Sequence, residues 1–189
     1  MPVRFPSIQR LETPDLVLRE IVHADTDAYF ALSSDQKVMK TWGMPVHQDR
    51  GETEKLIEYL KVAHKEEKMI RWAITKKGED RLIGDVGYWR FVKERSRAEA
   101  GAKLAKEYWS GGFMTQALAA IVDFGFNEME LNTVEANVDP ENPGARRLVE
   151  KVGFLQEGIL KEHSWDQERA RFTDSLLFTV HRSRWKRPW

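Results

Sequence analysis

Two adjacent glycines, Gly111 and Gly112, stand between residues 96–104, which alternate apolar and polar side chains, and residues 112–130, whose apolar side chains recur at helical spacing. A chain with that junction must pass from strand to long helix within a few residues, so sheet and helix pack on one another. The spacing predicts a helix over 112–130 with Ala117, Leu118, Ile121, Val122, Phe124 and Gly125 on its packing face. A glycine pair at a helix start also leaves backbone N–H groups free at the positive end of the helix dipole, with no Cβ to keep an anion away. Residues 109–115 therefore read either as a structural turn or as an anion cradle. The chain contains neither G-x-G-x-x-G nor G-x-x-x-x-G-K followed by Ser or Thr, which weakens ATP, GTP and NAD readings.

Around this junction the periodicity predicts a mixed α/β order. Residues 15–21 alternate as a first strand. Helical patterns follow from about Asp25 to Leu32, from Asp35 to a stop at Gly43-Met44-Pro45, and over 48–68. From residue 69 the period changes to two, giving strands at 69–75, 81–92 and 96–104 joined by short turns. After the long helix come a strand at 133–138, a short helix at 143–152 closed by Gly153, and strands at 154–165 and 171–181. With 189 residues and no repeat or linker, the expectation is a single domain over residues 1–189.

Composition narrows the chemistry. The chain has no cysteine, so disulfides, thiolate nucleophiles and cysteine metal sites are excluded. Thirty basic residues balance thirty acidic ones, so no nucleic-acid partner is expected, and the basic tail Arg182, Arg184, Lys186 and Arg187 reads as a solvated end. No apolar run reaches the ~18 residues of a membrane span and no signal-peptide pattern opens the chain, so a cytoplasmic protein without a membrane partner is expected. The five histidines, His23, His47, His64, His163 and His181, lack the close spacing of a metal site, and none is expected.

A second constellation follows the turn. Asn142 suits an N-cap, Pro143 a first helical turn and Gly153 a C-cap before Phe154. The run Ala98-Glu99-Ala100-Gly101-Ala102-Lys103-Leu104, with Trp109-Ser110-Gly111-Gly112-Phe113-Met114-Thr115, resembles motif A of the GNAT acetyltransferases. Glu135 through Asn142, with Leu148, Glu150, Lys151, Gly153 and Phe154, resembles motif B. The Tyr108-Trp109 pair, Pro140-Glu141-Asn142 and Arg171-Phe172-Thr173-Asp174 are similar to the ribosomal-protein, RimJ/RimL-like branch, over roughly residues 11–185.

The resemblance implies the GNAT fold, a mixed and mostly antiparallel sheet of six to seven strands flanked by helices, with its fourth and fifth strands splayed. It implies acetyl-CoA as cosubstrate and an amine acceptor, either a protein N-terminus or a small molecule. Ala102, Lys103 and Leu104 would offer backbone to the pantetheine arm, residues 109–115 would hold the pyrophosphate, and Asn142 would contact the arm, cap the helix, or both. Glu99 matches an acidic family position suited to a general base; a surface pairing with Arg97 or Lys103 is the alternative.

The chain departs from the family where a general acid is usual: Val149 stands in place of a tyrosine and Ala145 in place of a serine. Tyr108 and Ser110 are unsupported substitutes, and a catalytically reduced CoA-binding module is the competing reading. Trp42 with Met44-Pro45, and Trp89 with Phe91, fall either in the core or along the acceptor cleft. Asp174 resembles an acceptor-side position. Relatives that form homodimers make a second copy a candidate partner, with Trp185 and Trp189 as exposed aromatic candidates.

Overall fold

The structure is a computed structural model that describes residues 3–42, 44–166 and 169–188. Among the described residues eight strands form one sheet in the order β1-β2-β3-β4-β5-β6-β8-β7. They are β1 (Leu11–Glu12), β2 (Leu16–Arg19), β3 (Ile70–Lys76), β4 (Gly84–Val92), β5 (Arg97–Leu104), β6 (Thr133–Val138), β7 (Leu155–Asp166) and β8 (Arg171–His181). Every neighbouring pair is antiparallel except β5 and β6.

The eighth strand, against six to seven expected, is the two-residue β1. It pairs Leu11 with Leu18 and Glu12 with Val17 across a turn that Thr13 closes, its hydroxyl accepting from the Leu16 N–H at 3.0 Å. Two residues carry no alternation, so periodicity has nothing to read there.

Among the described residues five α-helices flank the sheet: α1 (Thr26–Ser34), α2 (Gln36–Trp42), α3 (Arg50–Lys65), α4 (Phe113–Asn127) and α5 (Pro143–Val152). α3 is shorter than the expected 48–68 because a reciprocal cap fixes its start. The Asp49 carboxylate accepts from the Glu52 N–H at 3.0 Å, and Glu52 accepts from the Gln48 N–H at 2.8 Å.

The two faces of the sheet are covered differently. α4 buries Ala117, Leu118, Ile121, Val122 and Phe124, and α5 buries Val149 and Val152, in one core with Leu18, Trp72, Val86, Tyr88, Ala98, Ala100 and Val134. A second cluster holds Tyr29, Leu32, Val38, Ile57, Leu60 and Ala73, so α1, α2 and α3 lie on the opposite face. Strand alternation then divides β5. Ala98, Ala100 and Leu104 join the α4 core, while Glu99, Gly101 and Lys103 face the α1–α3 layer.

Beneath that layer lies a buried charged cluster. Asp85 is fully buried and bonded by Arg71 and by the Tyr29 hydroxyl, with Lys103 Nζ 3.6 Å away. Burial pushes the Asp85 carboxyl up, but Arg71 and then Lys103 outweigh it and hold the group below the usual carboxylate value. Burial, to which the charge of Arg71 adds, holds the Lys103 ammonium below its ordinary value despite the opposing Asp85. Among the described residues no helix is long and apolar enough to cross a membrane.

Candidate active site

β5 and β6 run side by side for three residue pairs only: Arg97 with Thr133, Ala98 with Val134, and Glu99 with Glu135. Beyond them β5 continues to Leu104 and β6 to Val138, each still paired on its outer side, β5 to β4 and β6 to β8. The sheet thus opens into a V whose vertex is Glu99 and Glu135. Ala102, Lys103 and Leu104 all lie on the open arm of β5. Backbone groups pointing into such a gap need partners, which an extended polar chain inserted there can supply. The Leu104 carbonyl already accepts from Trp109 Nε1 at 2.7 Å, so the indole folds back onto the strand end.

At the mouth of the V the chain reaches α4 through Ser110 and Gly112, both in left-handed backbone (φ 64° and 78°). Gly112 is the N-cap and provides no side-chain cap, so the first-turn N–H groups of Phe113, Met114 and Thr115 are available to an anion. α5 contrasts with it. The Asn142 side chain accepts from the Ala145 N–H at 2.9 Å, so the capping role of Asn142 is occupied in this structure. Gln116 holds the α4 start against the β1–β2 turn, accepting from the Thr13 hydroxyl at 2.8 Å and donating to Asp15 at 2.6 Å.

Glu99 is 7% exposed. Neither cation proposed from sequence holds it: Arg97 donates to Glu135 at 3.1 Å and Lys103 belongs to the Asp85 cluster. Its partner is Arg90, whose Nη1 donates to Glu99 Oε2 at 3.0 Å. Glu135, which the sequence reading did not single out, completes the vertex. Burial raises its carboxyl above the ordinary value, Arg97 opposes, and the negative charges of Glu99 and Glu157 add to the rise. Only the parallel register brings these two glutamates together, so no local signal could have found the pair.

An aromatic wall stands beside Glu99. Trp42 and Trp89 pack edge to face at 5.5 Å, and the Arg71 guanidinium lies over both rings at 5.1 and 5.5 Å. Gly101 is required beneath them, since a Cβ there would sit 2.2 Å from the Trp89 ring. Both tryptophans are half-buried, so packing and cleft lining coincide. Phe91 instead joins Tyr88 and Phe5 on the α4 side.

The other positions singled out from the sequence have the following surroundings. Asp174 accepts from Lys161 at 2.7 Å and from the Glu162 N–H at 3.0 Å, within the β7–β8 hairpin. Tyr108 packs on Phe113, and Ser110 is exposed in the turn. Val149 is buried and Ala145 partly so, both against the α4 core, so no hydroxyl enters from α5. Trp185, offered as an exposed aromatic, packs on Phe126 and donates to Asp123 at 3.0 Å; Trp189 lies outside the described residues, as does Gly43. Among the described residues no three His, Asp or Glu side chains converge as a metal site would require.

Comparison with known proteins agrees with this geometry. Residues 15–155 match the acetyltransferase (GNAT) domain model. The uncharacterized N-acetyltransferase YoaA of Bacillus subtilis is 30% identical over 155 residues, 82% of this chain and 88% of that protein. The spermidine N(1)-acetyltransferase of Vibrio cholerae is 27% identical, covering 78% of this chain and 83% of its own. Mycobacterium smegmatis RimJ, solved in complex with CoA-disulfide, superposes with a TM-score of 0.82 at 25% identity, over 95% of this chain and 89% of that one.

Proposed function

Because this chain belongs to the GNAT family of N-acetyltransferases, on its RimJ-like branch, we propose that it moves acetyl from acetyl-CoA to a primary amine by direct attack in a ternary complex. The observation that carries this reading is the V between β5 and β6, with an uncapped α4 N-terminus at its mouth and buried Glu99 at its vertex. The CoA seen on RimJ supports the same donor here. Residues 1–189 act as one catalytic domain, working in the cytoplasm.

Ala102, Lys103 and Leu104 hold the pantetheine arm by their backbone, and Trp109 to Thr115 hold the pyrophosphate, with Asn142 ordering α5 beside them. A protonated amine cannot attack; α-amines lose their proton near ~8 and alkyl amines near ~10.4. Glu99 takes that proton through water. The neutral nitrogen adds to the acetyl carbonyl, and a β5 backbone N–H near Lys103 and Leu104 meets the oxyanion. The C–S bond then breaks, the nitrogen gives up its remaining extra proton to water, and the thiolate takes a proton from water, since Val149 and Ala145 offer none.

The test is thiol release from acetyl-CoA in the presence of N-terminal peptides, polyamines, amino acids and aminoglycosides. The proposal expects amine-dependent release, and the acceptor with the highest kcat/KM identifies the class. Binding of acetyl-CoA without release on any amine would replace it with a CoA-binding module.

The turn makes its own prediction. Gly112→Ala forces a Cβ into left-handed backbone, which costs roughly 1–2 kcal/mol and tilts the first-turn N–H groups. The dissociation constant for acetyl-CoA is expected to rise about tenfold by calorimetric titration. An unchanged constant would remove the turn from the binding site.

A further inference from the structure

The β4–β5 register breaks beside Glu99. Trp89 pairs with Glu99 and Val92 with Arg97, so Arg90 and Phe91 together oppose Ala98 in a β-bulge. Arg90 adopts φ 50°, the left-handed region that arginine rarely occupies. The consequence concerns direction. Tyr88 points into the α4 core and Trp89 to the α1–α3 face, so unbroken alternation would send Arg90 back to the core side. The bulge instead turns it to the same face as Trp89, where its guanidinium reaches Glu99. The Arg90 side chain is 65% exposed while the Glu99 side chain it holds is 9% exposed.

We propose that Arg90 is a positioning residue for the acetyl transfer, its bulge fixing the Glu99 carboxylate by Oε2 so that Oε1 faces the acceptor amine. This rests on the reading of Glu99 as the base. Arg97 and Lys103, the two cations of β5, are committed to Glu135 and Asp85, so the bulge in β4 supplies the cation that β5 itself does not. A carboxylate held at one oxygen keeps its second in a fixed direction, and loss of that constraint reduces the fraction of bound complexes that can react.

A double-mutant cycle on the full chain tests it, measuring kcat and acceptor KM for wild type, Arg90→Gln, Glu99→Gln and the double variant. Arg90→Gln is expected to lower kcat about tenfold, with acceptor KM and acetyl-CoA affinity within about twofold. Arg90→Lys is expected to recover most of the loss. On the Glu99→Gln background the same change is expected to alter kcat by less than about twofold. Arg90→Gly, which accepts the left-handed backbone, is expected to show the same kcat loss with the bulge retained, separating the guanidinium from any folding defect. An equal loss on the Glu99→Gln background, a loss wholly in acceptor KM, or no loss overturns the positioning role. Full turnover by Glu99→Gln alone instead overturns the base reading, and does so independently of Arg90.

Discussion

Glu99→Gln is expected to lower kcat by about 100- to 10,000-fold, the range over which positioned general bases contribute, while acetyl-CoA still binds. Glutamine keeps the shape of the side chain, and its amide oxygen can still accept from Arg90, so the vertex of the V loses a proton acceptor but little packing. On the proposed reading donor binding should persist, because it is assigned to the open arm of β5 and to the uncapped start of α4 rather than to the Glu99 side chain. Among the described residues Glu135 is the carboxylate paired with Glu99 across the parallel register, and its charge is engaged by Arg97 at 3.1 Å. The decisive pair of measurements is steady-state thiol release and calorimetric acetyl-CoA affinity on the same preparation. A variant that turns over like wild type would place the base elsewhere; one that no longer binds acetyl-CoA would show that Glu99 shapes the groove instead.

Asp85→Ala is expected to cost about 3–5 kcal/mol of stability, because it leaves Arg71 and Lys103 buried without a counter-charge. Arg71 and Asp85 side chains are 5% and 0% exposed, so water cannot take over the lost interaction without the layer opening. In a chain of this length that loss lowers Tm by roughly 10 °C, readable by circular dichroism or calorimetry. A drop of under about 1 kcal/mol would show that the cluster relaxes freely.

The pH dependence has a defined sign. The folded carboxyl lies below its unfolded value, so its contribution is fully present above the unfolded pKa and disappears as pH falls through the folded one. Wild type should therefore lose stability on acidification over a window that Asp85→Ala lacks. The damage reaches the site as well, since Arg71 carries both Trp42 and Trp89 and Lys103 reaches Ser33 in α1.

Much of this protein was legible before any coordinates. The expected strand at 133–138, helix at 143–152 and strand at 171–181 coincide with β6, α5 and β8, because alternation, an Asn-Pro start and a glycine stop are local signals. The turn before α4 was legible for the same reason: the glycine pair marks the break between strand and helix, and Gly112 takes the left-handed N-cap position there. The misreadings were also local in origin. β1 is too short to carry a period, 48–68 hid a cap at Asp49, and Trp185 looked exposed until α4 offered it Asp123.

By itself the sequence determined the elements from β2 onward, their order, and a helix start at α4 without a side-chain cap, since those follow from spacing and from glycine, proline and capping side chains within a few residues of one another. Tertiary structure alone decided how the vertex is wired. The parallel register set Glu135 beside Glu99, the bulge turned Arg90 onto Glu99, and Arg97 and Lys103 were drawn to Glu135 and Asp85. Charges from separate strands choose their partners by distance and burial, and both exist only once the sheet has closed over them.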